Sequence, residues 1–65
     1  MESFVITYTD KYGNVWFVDD DFFNRSLSYA RHFSDEEEAN HRKTELERVF
    51  PEGRWNILRA TYQDI

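Results

Sequence analysis

The strongest constraint on the fold is a helix signal that ends at a proline. Ser34 and Glu37, three residues apart, form a capping-box pattern, and the acidic run 35–38 suits the positive end of a helix dipole. Pro51 cannot continue a helix, so the pattern predicts one helix from Ser34 to about Phe50. In a chain of 65 residues, the flanking segments must supply the surface on which this helix packs.

The predicted helix is apolar along one narrow stripe. Residues at spacings of three and four form this stripe: Ala39, Lys43, Leu46, Val49 and Phe50. All are apolar except Lys43, which lies at the edge of the stripe. We therefore expect the helix to cover a sheet with this stripe and to leave its other faces to water.

Two runs rich in β-branched and aromatic residues precede the helix and predict a hairpin. The runs are Phe4–Thr9 and Val15–Val18, and the turn cluster Asp10–Asn14 joins them. Alternate residues of a strand share one face, and we expect the larger, more apolar face of the first run to pack on the core. That face comprises Phe4, Ile6 and Tyr8.

A third run, Trp55–Tyr62, follows the proline and predicts the last strand. Its alternation is imperfect, because large apolar side chains lie on both of its faces. Such a strand is either central in the sheet or half-exposed at a binding surface.

Three aspartates, 19–21, end the hairpin, and the next stretch, Phe22–Tyr29, has no clean period, so two alternatives stay open for it. One is a short helical turn capped by Asp20 or Asp21. The other is an irregular loop pinned by apolar side chains, namely Phe22, Phe23 and Leu27. The order β-β-(irregular or short helical turn)-α-β predicts a single α+β domain, in which one helix packs on a small antiparallel sheet.

The composition excludes several classes of site. Without cysteine, the chain can form no disulfide, no cysteine-ligated zinc finger and no thiol nucleophile. Its two glycines build no phosphate-binding loop, and the spacing of His32 and His41 matches no zinc signature. We therefore expect no enzymatic activity, no cofactor and no metal. With no membrane-spanning stretch and no secretory leader, a soluble cytoplasmic domain is expected.

Aromatic side chains are more numerous than a core of this size can readily hide: six Phe, four Tyr and two Trp. In a domain this small, the gain from apolar burial and the cost in chain entropy nearly cancel. An aromatic core and self-association into a homodimer are the two candidates for the missing stability. If Tyr8 and Phe17 face the core, Trp16 faces away from it.

Acidic residues are concentrated in the first 38 residues, which carry nine acidic against three basic side chains in a chain of net charge −5. Two interpretations stay open: a solvated loop with a well-capped helix start, or an acidic patch that meets a basic protein surface. In the second, five acidic residues are the electrostatic contacts: Asp19, Asp20, Asp21, Glu36 and Glu37. The apolar anchors are Phe22, Phe23 and Trp16.

The segment Ala30–Ala39, with the sequence Ala-Arg-His-Phe-Ser-Asp-Glu-Glu-Glu-Ala, resembles a segment of many very small phage and prophage accessory proteins. In those proteins, an aromatic hairpin leads to this stretch, an acidic helix start and a closing strand. The resemblance implies a protein that binds and inhibits a host protein, such as an antiviral nuclease or its nucleic-acid-binding subunit, as anti-CRISPR inhibitors do. The shared motif is structural and assigns no role to individual residues; the triple aspartate, Phe22 and Phe23 depart from it.

Two other functions stay open. A single-stranded nucleic-acid-binding module would use the sheet aromatics together with one arginine: Trp16, Tyr8, Trp55 and Arg59. The acidic charge of the chain disfavours such direct contact with phosphates. A structural or assembly subunit is the other alternative, and it would form oligomers as its concentration rises.

Overall fold

A computed structural model describes residues 2–19, 23–27 and 30–61. In these ranges the chain forms four strands and one α-helix, in the order β1 (Glu2–Thr9), β2 (Val15–Val18), β3 (Phe23–Asn24), α1 (Glu36–Val49) and β4 (Arg54–Thr61). The helix packs on an antiparallel sheet, which confirms the predicted α+β class. The short strand β3 lies in the segment for which the sequence left a helical turn or a loop open.

The sheet has the strand order β3-β2-β1-β4, so β1 lies in its centre. β4 pairs with β1 from Arg54 to Thr61 and has no other strand neighbour among the described residues. β4 therefore lies at an edge of this sheet, and the alternative that placed the last strand in its centre is wrong. Leu58, on the face of β4 away from the helix, is 45% exposed.

The register of the hairpin decides which side chains share a face. Tyr8 lies opposite Trp16 and Thr7 lies opposite Phe17. Directly opposed residues of antiparallel strands project to the same face, so Trp16 lies on the helix face with Tyr8. The expectation that Tyr8 and Phe17 share the core face, with Trp16 on the other, is wrong. A shift of register by one residue would have produced that arrangement, because side chains alternate along a strand.

The core lies between the sheet and one side of the helix. Its buried members come from two strands, the segment before the helix and the helix itself: Ile6, Val18, Phe33 and Ala39. Partly buried side chains pack around them: Phe4, Leu46, Trp55 and Ile57. The predicted stripe on the helix is correct for Ala39 and Leu46. It is wrong for Val49 and Phe50, which are 67% and 44% exposed.

The second face of β1 is also buried, which the sequence did not indicate. Val5 is 0% exposed, and Ser3 and Thr7 are buried with it. The segment before the helix runs past this strand, where the Ser3 Oγ lies 2.7 Å from the His32 Nδ1. Phe33 and Phe4 exchange two backbone hydrogen bonds of 2.8 Å, so this segment continues the sheet beyond the end of β2.

The helix begins one residue later than predicted. Asp35, not Ser34, is the N-cap, and its carboxylate accepts a hydrogen bond of 3.0 Å from the backbone N–H of Glu37. A carboxylate caps as well as a hydroxyl does and adds a favourable charge at the helix N-terminus. At the other end, the backbone N–H of Phe50 donates to the carbonyl of Leu46, and the helix ends before Pro51 as predicted.

Candidate functional site

Four aromatic rings, three from strands and one from the C-cap of the helix, meet beside the C-terminal end of α1. We call Tyr8, Phe23, Phe50 and Trp55 the aromatic surface. The ring centroids of Tyr8 and Trp55 lie 4.7 Å apart, and those of Tyr8 and Phe23 lie 5.5 Å apart. The Phe23 and Phe50 rings meet edge to face at 5.8 Å. These distances are typical of favourable aromatic pairs, so the rings support one another.

The aromatic surface is held in place and yet open to solvent. Phe23 is 37% exposed and Phe50 is 44% exposed, and the exposed side chain of Val49 lies next to Phe50 in the chain. The indole N–H of Trp55 donates a 2.9 Å hydrogen bond to the carbonyl of Phe50, which ties β4 to the end of the helix. Ordered, partly exposed aromatic side chains of this kind are the usual anchors of protein interfaces.

Gly53 allows Tyr8 to lie close to the turn before β4. Its φ is +91°, which L side chains rarely adopt, and a Cβ placed there would lie 2.5 Å from Cε2 of Tyr8. The same Cβ would lie 2.8 Å from the carbonyl oxygen of Thr9. Glycine is therefore required by both the backbone conformation and the close approach of the ring.

Trp16 lies beside the aromatic surface and is oriented by Asp10. Its indole N–H donates to Asp10 Oδ2 at 3.1 Å, while Asp10 Oδ1 accepts from the backbone N–H groups of Tyr12 and Asn14, each at 2.9 Å. Burial raises the pKa of Asp10, but the hydrogen bonds from Trp16, Asn14 and Tyr12 outweigh it, and the pKa lies below its ordinary value. Asp10 is thus a carboxylate at neutral pH, and it fixes both the hairpin turn and the indole.

Two shallow depressions flank the Tyr8 ring. One, of about 220 Å³, is lined by Tyr8, Asp10, Trp16 and Phe23. The other, of about 260 Å³, is lined by Tyr8, Val49, Phe50, Pro51 and Glu52. Both are open, so they suit side chains of a partner better than an enclosed small molecule.

The structure brings together two of the residues predicted as contacts. Phe23 and Trp16 line the same depression on the helix face of the sheet. Phe50 was not predicted, since its helical spacing assigned it to the core stripe. The proline after it was the available signal: a side chain at the last position before Pro51 has no further helical turn beside it.

The predicted acidic contacts are placed elsewhere. Glu36 and Glu37 are exposed in the first turn of α1. The helix has 14 residues, and at about 1.5 Å rise per residue its two ends lie about 20 Å apart. Asp19 follows β2, is half-buried and already interacts with another group. The predicted contacts Asp20, Asp21 and Phe22 lie outside the described residues.

The residues predicted for nucleic-acid binding are also divided. Tyr8 lies opposite Trp16 on one side and Trp55 on the other, so these three share one row across the sheet. Arg59 lies opposite Phe4, four positions along the strands, or about 13 Å away. Its guanidinium group lies 5.7 Å from the Phe4 ring centroid.

Comparison with protein-family models, curated proteins and solved structures finds no match to this chain. Within residues 2–19, 23–27 and 30–61, no three His, Asp or Glu side chains converge as a metal site would require. In the same ranges, no helix has the length and apolar character needed to cross a membrane.

Proposed function

We propose that this chain is a non-enzymatic accessory protein of the phage type, which binds a host protein through the aromatic surface and inhibits it in the bacterial cytoplasm. The observation that supports this most is the exposure of Phe23 and Phe50 in an ordered ring cluster. Aromatic side chains supply much of the affinity of protein interfaces, because they bury a large area at a small cost in conformational entropy.

A protein partner is favoured over a nucleic acid by the packing of the rings. Tyr8 and Trp55 are tilted by 49° at 4.7 Å, so each takes up part of the other's stacking face. Base-stacking platforms need exposed ring faces beside a positively charged groove. The net charge of −5 counts against such a groove, and Arg59, the arginine predicted for it, lies away from the aromatic row.

The acidic helix start is proposed as a second, electrostatic contact with a basic region of the same partner. A typical interface covers about 800 Å² on each partner, which corresponds to a patch about 30 Å across. Such a patch can include both the aromatic surface and the first turn of α1, where Glu36 and Glu37 are exposed. Charges at the edge of an interface mainly raise the association rate and weaken with salt.

Capture of the partner from a bacterial lysate tests this proposal. The tagged protein is incubated with nuclease-treated lysate, and bound proteins are identified by mass spectrometry. The matched pair of variants is Phe50→Ala, in the aromatic surface, and Leu58→Ala, on the opposite face of the sheet. The two wild-type side chains are 44% and 45% exposed, so they differ in location and not in burial.

We expect the wild type and Leu58→Ala to retain a stoichiometric partner, and Phe50→Ala to lose it with an unchanged circular dichroism spectrum. Removing an interface anchor typically weakens binding by about 2 kcal/mol or more, roughly 30-fold. Equal capture by both variants would contradict the assignment to the aromatic surface. Partners that disappear with nuclease would favour nucleic-acid binding, and an empty eluate with concentration-dependent oligomers would favour an assembly subunit.

A further inference from the structure

We infer that the depression between Tyr8, Trp16 and Phe23 binds the guanidinium group of an arginine side chain on the partner protein. This inference rests on the proposed function and names the chemistry of one contact. The three aromatic side chains come from β1, β2 and β3, and they project to the helix face of three neighbouring strands. The depression has a volume of about 220 Å³ and opens directly to solvent.

An arginine of the chain itself shows that the Trp16 indole accepts a guanidinium group. The guanidinium carbon of Arg25 lies 5.1 Å from the Trp16 ring centroid. Cations are attracted to the faces of aromatic rings, and tryptophan gives the strongest attraction. Arg25 is exposed in the segment after β3. Its side chain can therefore leave the indole when the arginine of a partner takes its place.

Asp10 supplies a fixed negative charge at the edge of the depression. Four hydrogen bonds converge on its carboxylate, from the backbone of Tyr12, from the backbone and side chain of Asn14, and from the indole of Trp16. A carboxylate has about four acceptor sites, so these bonds occupy them and hold the group in place. Asp10 thus attracts a cation through its charge, while the rings provide the contact area.

Arginine fits this arrangement better than lysine. Its guanidinium group is planar and weakly hydrated and stacks on aromatic faces, whereas an ammonium group is compact and strongly hydrated. The walls of the depression are aromatic, and the oxygens of Asp10 are already hydrogen-bonded. The depression therefore favours guanidinium, which loses its hydration more easily than ammonium. The net charge of −5 also favours approach of a basic partner surface.

Nuclear magnetic resonance with a small probe tests the inference without the partner. The ¹⁵N-labelled protein is titrated with N-acetyl-arginine methylamide, and the neutral isostere N-acetyl-citrulline methylamide is the control. The reporter is the indole N–H of Trp16. The indole N–H of Trp55, which is bonded to the Phe50 carbonyl, serves as the internal reference.

We expect a saturable shift of the Trp16 signal with the arginine probe, with a dissociation constant on the order of 10 mM, and no saturable shift with citrulline. Arg25→Gln removes the internal competitor and should tighten probe binding by about two- to fivefold. Arg31→Gln is the matched control, because Arg31 lies over the Phe33 ring at 4.8 Å, away from this depression. It should leave probe binding unchanged.

Three results would overturn the inference: no saturable shift of Trp16, equal shifts with both probes, or affinities that Arg25→Gln and Arg31→Gln change equally. These failures are separate from failure of the proposed function. A partner that is captured through Phe50 while the arginine probe does not bind would refute the inference alone. Probe binding without any captured partner would refute the proposed function alone.

Discussion

A phenylalanine lies beside each end of α1, and the two differ in how much of the side chain is exposed. Beside the N-terminal end, Phe33 is 6% exposed and packs with Ala39, which is 0% exposed. At the C-terminal end, Phe50 is 44% exposed and Val49 is 67% exposed. Both residues are phenylalanines, and both lie just outside the helix. Side-chain size and hydrophobicity therefore do not explain their difference in exposure.

The difference follows from what lies opposite each ring. Phe33 pairs with Phe4 through two backbone hydrogen bonds, and its ring is enclosed between the sheet and the helix. The Phe50 ring meets Phe23 edge to face at 5.8 Å and lies 6.4 Å from Trp55, and it stays 44% exposed. The N-terminal end of α1 therefore packs into the core and stabilises the fold, while the C-terminal end exposes apolar area that a partner can cover.

The largest expected effect comes from truncating the two phenylalanines separately. Phe33→Ala should lower the free energy of unfolding by about 3–5 kcal/mol, because it leaves a cavity in the core. Since a domain of this size has only about that much stability, this variant should be largely unfolded. Phe50→Ala should cost about 1 kcal/mol, because its ring is already partly hydrated. Urea unfolding followed by circular dichroism measures both, and equal losses would refute the division between the two ends.

A smaller difference is expected between alanine substitutions at the two glycines, which separate backbone strain from ring contact. Gly13 and Gly53 have φ values of +85° and +91°, but nothing lies within 4 Å of a Cβ at Gly13. Gly13→Ala and Gly53→Ala should each lose about 1–3 kcal/mol through backbone strain. Gly53→Ala should lose a further 1–3 kcal/mol, approximately, through overpacking against Tyr8.

Thermal unfolding compares the two glycine variants. Near-ultraviolet circular dichroism should change only for Gly53→Ala, because only that variant displaces Tyr8 from Trp55. Gly13→Ala could instead lose as much stability as Gly53→Ala and change the near-ultraviolet spectrum as much. In that case, the close approach of Tyr8 to the turn is not the reason why glycine is required at position 53.

The smallest effect concerns the cap of the helix. Asp35→Ala should lower the free energy of unfolding by about 1 kcal/mol, because the N–H of Glu37 loses its acceptor. Ser34→Ala is the control and should change stability by less than about 0.5 kcal/mol, since Ser34 is exposed and precedes the cap. The melting temperatures of both variants measure this, and a larger loss for Ser34→Ala would place the cap where the sequence alone suggested it.

Most elements could be predicted from the sequence because their signals are local. The helix over residues 36–49 follows from capping residues, spacing and Pro51, and three of the strands follow from β-branched and aromatic runs. β3 could not be predicted, because a strand of two residues has no period. The cap was misplaced by one residue, since Ser34 and Asp35 are both good caps and only the backbone conformation separates them.

The candidate site was only partly visible in the sequence. Trp16 and Phe23 were predicted as contacts and line one depression, whereas Phe50 was assigned to the core stripe. Glu36 and Glu37 were predicted to contact the same partner as these aromatic residues. The length of the helix separates these two glutamates from the aromatic surface. Periodicity describes which residues share a face of one element, but not where the neighbouring element ends.

By itself, the sequence determined the α+β class, the order of the main elements and the surplus of aromatic side chains. These properties depend on residues close together in the chain. Tertiary structure alone decided that Trp16 shares a face with Tyr8, that β4 is an edge strand, and that four distant rings form one open surface. Each of these depends on strand register and on pairing between residues far apart in sequence, which local patterns do not encode.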